Sequence, residues 1–168
     1  MKLGVISDTH DHLENIKKAV EILKKEKIDF LIHCGDYVSP FVVRALEGLD
    51  DKIKNGKFFG VFGNNDGELL GLMKFLGKIC DIKGYEAILE LNGKKIYVSH
   101  GPNPSVIRSL ASSNNFDIIA TGHTHKSKIE QIGNSLVINP GELCGYLSGK
   151  STFMIVDLIK MDAQILEI

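Results

Sequence analysis

Seven residues of this chain carry side chains suited to holding a cation, and each follows an apolar run: Asp8, His10, Asp36, Asn64, His100, His123 and His125. The first pair closes residues 3–10, read L-G-V-I-S-D-T-H, where a stretch of buried-strand type meets a carboxylate and an imidazole two positions apart. In extended chain, residues i and i+2 point to the same side. Asp8 and His10 are therefore expected to reach one object just beyond the strand's carboxyl end, where open α/β sheets bind their ligands. His123 and His125 repeat that spacing. Each motif alone is better explained by turn polarity, since Asp and Asn tolerate tight turns. It is their recurrence after successive strands that points to a metal.

The donors are nitrogen and oxygen without thiolate, which suits manganese, iron, zinc, nickel or magnesium. Seven are too many for one tetrahedral site. They suffice for two ions sharing one carboxylate, held roughly 3.5–4 Å apart in such centres, and Asp36 is the expected bridge.

The elements that must position these donors follow from hydrophobic period. An apolar-periodic helix is expected over residues 12–26, with Asp11 as its cap in a D-x-x-E variant of the capping box. Strand 29–33 then completes a βαβ unit whose right-handed crossover brings Asp8 and Asp36 to one edge. Ser39-Pro40 opens a helix over 41–49, a polar loop spans 50–56, strand 57–62 delivers Gly63-Asn64-Asn65-Asp66, and a helix covers 68–78. Asn92-Gly93 joins strands 85–91 and 94–99 in the strongest hairpin signal present. A helix near 105–112, a strand at 117–120, a hairpin of 128–132 with 136–139, a glycine-rich loop 141–150 and strands 152–158 and 162–168 complete the chain. The order βαβαβα followed by antiparallel strands predicts an α/β fold of two sheets packed face to face with helices outside. One domain over residues 1–168 is expected, without repeats or linkers.

Composition narrows the function classes. The chain is 43% hydrophobic and 24% charged, with 20 basic residues against 21 acidic and a net charge of −1, so it lacks the clustered positive face of a nucleic-acid footprint. Arg44 and Arg108 are the only arginines, and any phosphate bound here needs another source of positive charge. Cys34, Cys80 and Cys144 show no C-x-x-C spacing and read as reduced, buried residues of a cytoplasmic protein. The first strand begins at once and leaves no room for a signal peptide, and no apolar run nears the ~18 residues of a spanning helix. His33 reads as a core histidine and His12 as a first-turn residue or part of the site's rim. Asp66 is open between an exposed turn residue and an orienter of the site. The lysine pairs 17–18 and 24–25 read as a solvated helix face.

The ordered series D-T-H, G-D, G-N-N-D, H-G and G-H-T-H resembles the calcineurin-like metallophosphoesterase superfamily, within it the small archaeal and bacterial phosphodiesterases related to the retromer's phosphoesterase-like subunit. The resemblance covers essentially the whole chain and implies a double-sheet αββα sandwich. It implies one metal held by Asp8, His10, Asp36 and His125, a second held by Asp36, Asn64, His100 and His123, and catalytic roles for Asp36, Asn64 and His100. Two divalent ions, Mn²⁺ first and Ni²⁺, Zn²⁺, Fe²⁺ or Mg²⁺ as alternatives, would polarise a phosphoryl group while the hydroxide bridging them attacks phosphorus in line. With Asp8, Asp36 and that hydroxide against two dications the site sits near +1, matching a diester monoanion better than a monoester dianion.

One departure bears on turnover. Many members carry histidine where this chain has Asn65, and an amide cannot hand over a proton near neutral pH. Slow turnover and a preference for good leaving groups such as aryl diesters are expected. Glu142 stands where relatives often have a small serine, which leaves carry-over at that loop open. The expected partner is a small phosphodiester, with no membrane and with homo-oligomerisation left open. A phosphomonoesterase with the same site and a non-catalytic, protein-binding scaffold are the competing readings, but scaffold relatives have lost ligands that are all present here.

Overall fold

The computed structural model describes residues 1–168. Its first sheet has β1 (Lys2–Ile6), β2 (Phe30–His33), β3 (Phe58–Gly60) and the two-residue β4 (Asp81–Ile82) side by side and parallel. On the other flank of β1, β10 (Thr152–Asp157) and β11 (Asp162–Glu167) continue the sheet antiparallel. The second sheet runs β5 (Glu86–Leu91), β6 (Lys94–Ser99), β7 (Ile118–Ala120), β9 (Ser135–Pro140), β8 (Ser127–Ile132). Here β6, β7 and β9 are parallel, and β5 and β8 pair antiparallel at the edges.

Alternation along the strands assigns their faces. Leu3 and Val5 of β1 enter the core between the sheets with Ile32, Ile96, Val98 and Ile138, whereas Ile6 points the other way and meets Ile16, Val20 and Leu23 of α1 (Leu13–Lys25). On the outer face of the second sheet, α5 (Pro104–Ser112) places Ala111 against Tyr97, Phe116, Ile119 and Val137. Helix, sheet, sheet, helix is the expected mixed α/β sandwich, and each buried leucine or isoleucine adds roughly 1.5–3 kcal/mol to it.

Several local expectations are corrected. Capping of α1 falls to His12, whose Nδ1 accepts from the Asn15 amide, because Asp11 adopts a left-handed conformation one residue earlier. The helix expected over 41–49 is a 3₁₀ turn, Pro40–Val42, followed by the single turn α2 (Val43–Leu46), with Ser39 capping as expected. Residues 50–56 hold another single turn, α3 (Asp51–Lys54), which buries Ile53. The helix of residues 68–78 is α4 (Leu69–Phe75) and a 3₁₀ turn, Leu76–Lys78. At Asn92-Gly93 both residues take positive φ, as a two-residue hairpin turn requires.

Candidate metal centre

Asp8 and His10 lie beyond the end of β1, Asp36 beyond β2, Asn64 beyond β3, His100 beyond β6, and His123 and His125 beyond β7. The chain therefore presents the donors from the carboxyl ends of parallel strands in both sheets. Asp8, His10, Asp36, His123 and His125 all have φ between 39° and 70°. Contrary to expectation, these residues are not extended, and period-two alternation does not aim them. Left-handed turns do, in a conformation that L residues adopt at a cost of order 1–3 kcal/mol and that clusters at functional sites.

Their tips meet. One ligand atom each from Asp8, His10, Asp36 and His125 lies within 4.8 Å of every other. His125 Nε2 is 3.2 Å from Asp8 Oδ1, His10 Nε2 is 3.5 Å from Asp36 Oδ2, and His100 Nε2 is 3.1 Å from that same Asp36 oxygen. Asp36 thus faces both a His10 side and a His100 side. The His123 ring stands edge-on to His100, 5.2 Å between centroids, and with His100 and Asn64 it lines one open cavity of about 450 Å³.

Surrounding groups fix which atoms face inward. The Cys34 carbonyl 2.8 Å from His100 Nδ1 can only accept, so the proton sits on Nδ1 and the Nε2 lone pair faces Asp36. The Glu142 carboxylate, 2.7 Å from His125 Nδ1, imposes the same tautomer. Asp8 Oδ2 accepts from Ser7 Oγ at 2.6 Å and the His123 amide at 3.0 Å, leaving Oδ1 for the centre. Asp66, buried, accepts from the amides of Asp36, Val38 and Gly63, which resolves its open reading in favour of an orienter. Asn65 is also committed: its backbone and side-chain N–H groups donate to the two oxygens of Asp36 at 2.8 and 2.7 Å.

Asp8 Oδ1, His10 Nε2 and His100 Nε2 are buried without a hydrogen-bond partner. Such groups cost about 1–3 kcal/mol each, and a shared cation would relieve all three, so the donor set fits a metal ion. Electrostatics agree. The Asp8 carboxylate beside it, helped by the Asp36 charge, holds the His10 imidazole above its ordinary value against burial. Burial would lower His100, but Asp36 and Asp8 outweigh it and raise it. Burial would likewise raise Asp36, yet the nearby His100 ring and the hydrogen bonds from Asn65 hold it well below the carboxylate range. Asp8 and Asp36 give the centre the negative charge that a cation would meet.

Residues 1–161 match the calcineurin-like phosphoesterase superfamily domain. The chain belongs to that superfamily. It is 41% identical over 164 residues to a protein of Methanocaldococcus jannaschii named as a phosphodiesterase, covering 96% of each. A solved structure of an archaeal phosphodiesterase, 40% identical, superimposes with a TM-score of 0.91 over the full length of both chains. Vacuolar protein sorting 29 of Cryptosporidium parvum shares the fold at 19% identity, with a TM-score of 0.67 and coverage of 99% and 96%.

In this phosphoesterase, Glu142 is the residue that sequence reasoning under-read. Fully buried beyond β9, it orients His125 and accepts from Cys144 Sγ and from the amides of Leu147 and Ser148, which hold its carboxyl at about 2 against the cost of burial. A lone glutamate in a glycine-rich run carried no signal for that role. Cys144 Sγ lies near His10 and His125, but burial and Glu142 push its thiol up to about 12, so it offers no thiolate. All three cysteines are unpaired and buried. His33 is a core residue as read: Nδ1 accepts from the Gly35 amide, Nε2 meets Thr9 Oγ1, and burial holds the ring neutral.

Proposed function

We propose that this chain is a binuclear metal-dependent phosphodiesterase acting on small phosphodiesters. The observation that carries the reading is the convergence of unpartnered Nε2 and carboxylate oxygen atoms on Asp36 from both sheets. Asp8, His10, Asp36 and His125 would hold one divalent ion, and Asp36, Asn64, His100 and His123 a second, with Mn²⁺ first and Ni²⁺, Zn²⁺, Fe²⁺ or Mg²⁺ as alternatives. When bound, the ions supply Lewis acidity for in-line attack of water on phosphorus.

The chain's own residues do the rest. Cys34 and Glu142 hold the imidazoles of His100 and His125 in the tautomer that presents Nε2. Asn65 fixes the plane of the Asp36 carboxylate, so its amide is engaged there and supplies no proton to a departing alcohol. Good leaving groups are favoured for that reason. The cavity beside His100 contains no lysine or arginine, which suits a monoanionic diester whose charge is met by the cations. A cytoplasmic setting accords with three unpaired cysteines.

The test is to strip the protein with chelator, restore each ion in turn, and assay bis(p-nitrophenyl) phosphate against p-nitrophenyl phosphate. Hydrolysis should vanish on chelation, return with Mn²⁺ and favour the diester. Activity indifferent to chelation contradicts the reading.

A further inference from the structure

The cavity that opens beside Asn64, His100 and His123 extends well past the donor atoms, and its far wall is unlike its near one. Phe62 and Tyr85 form an aromatic side, ring centroids 5.7 Å apart, with Tyr85 63% exposed and so free to offer a face. In the same lining, strand pairing sets Glu86 directly across from Ser99, and Tyr97 lies two residues before Ser99 on the same face. Tyr97 donates its hydroxyl to Glu86 Oε2 at 2.7 Å, and no protein group donates to Glu86 Oε1. Ser99 is only 6% exposed, and its Oγ has no hydrogen-bond partner.

Those groups define a ligand by chemistry. A stacking face selects a planar ring, a free carboxylate oxygen selects a hydrogen-bond donor, and the orphaned serine hydroxyl takes either polarity. The Glu86 charge, with no cation in the lining, rejects a further phosphate. We infer that this cavity is a subsite for one organic arm of the substrate, an uncharged aromatic heterocycle bearing an amino donor, the class to which amino-bearing nucleobases belong. This rests on the phosphoesterase reading only in placing the phosphate at the donor cluster; the subsite deepens that reading by naming the arm.

Calorimetry of the Mn²⁺-loaded protein with adenosine 5′-monophosphate and with ribose 5-phosphate tests it, because the two ligands share the phosphate and differ by the base. Stacking of a base on an aromatic side chain is expected to make the nucleotide bind about tenfold tighter. In Tyr85→Ala that ratio should fall toward one, Tyr85→Phe should keep it, and Glu86→Gln should lower it. Equal affinity of the two ligands for the unaltered protein, binding of neither, or a ratio untouched by Tyr85→Ala would overturn the inference. The readout does not depend on turnover: a tenfold ratio without diester hydrolysis fails the enzyme reading alone, and hydrolysis with a ratio of one fails the subsite alone.

Discussion

Two of the four histidines at the centre are steered by acceptors the donors themselves do not announce, a backbone carbonyl behind His100 and Glu142 behind His125. Orienting partners of this kind typically account for 10- to 100-fold in metal affinity. Glu142→Ala is accordingly expected to weaken Mn²⁺ binding about 10- to 100-fold in a metal titration, and Asp36→Ala, which removes the carboxylate facing both sides, to weaken it further. Proton competition supplies a second test. Because His10 and His100 hold their protons above the ordinary imidazole value, a cation must displace protons that persist to higher pH than in a free imidazole. Mn²⁺ affinity should therefore fall as pH drops, beginning above pH 6.5, and calorimetry at a series of pH values reads it; an affinity flat from pH 8 to 6 would contradict the assignment. The seven candidate donors were legible as residue types in an order, since Asp, Asn and His stand out after apolar runs. Asp66 and Glu142 were not, because a carboxylate that orients and one that faces solvent look alike until their acceptor oxygens have partners.

At the scale of elements, what aims the donors is the loop after each strand. Gly63 and Gly122 show how tightly those loops pack: a Cβ at Gly63 would stand 2.5 Å from the Asp36 amide nitrogen, and one at Gly122 would sit on Ser7 Oγ and 2.9 Å from Asp8 Oδ2. Only glycine permits either approach. Gly122→Ala should push on Asp8 and lower both Mn²⁺ affinity and melting temperature, whereas Gly77→Ala, which meets nothing within 4 Å, should change neither. Strand ends were readable from period and from the polar residues that stop them. The mode of convergence was not, because period-two logic applies inside a strand and Asp8, His10, His123 and His125 lie past its end in left-handed turns. Segments shorter than one helical period were equally silent: β4 has two residues, and α2 and α3 are single turns fixed by the burial of Leu46 and Ile53 rather than by local pattern.

For the whole molecule, two sheets meet over a core shared by Leu3, Val5, Ile32, Ile96, Val98 and Ile138, and that contact brings the rims of the parallel strands together. Neither sheet holds a complete donor set. The first brings Asp8, His10, Asp36 and Asn64, the second His100, His123 and His125. This architecture was legible as a whole because the run of βα units and the later hairpins dictate the layers, while the parallel pairing of β9 with β7 needed coordinates. No helix is long and apolar enough to cross a membrane. The central claim is that Asp36 is shared by two cations at the junction of the sheets, and anomalous diffraction at the manganese edge from Mn²⁺-loaded crystals tests it most directly. Two peaks are expected, both touching the Asp36 carboxylate, one beside His10 and His125 and the other beside His100 and His123. A single peak, or two with only one in contact with Asp36, would contradict it.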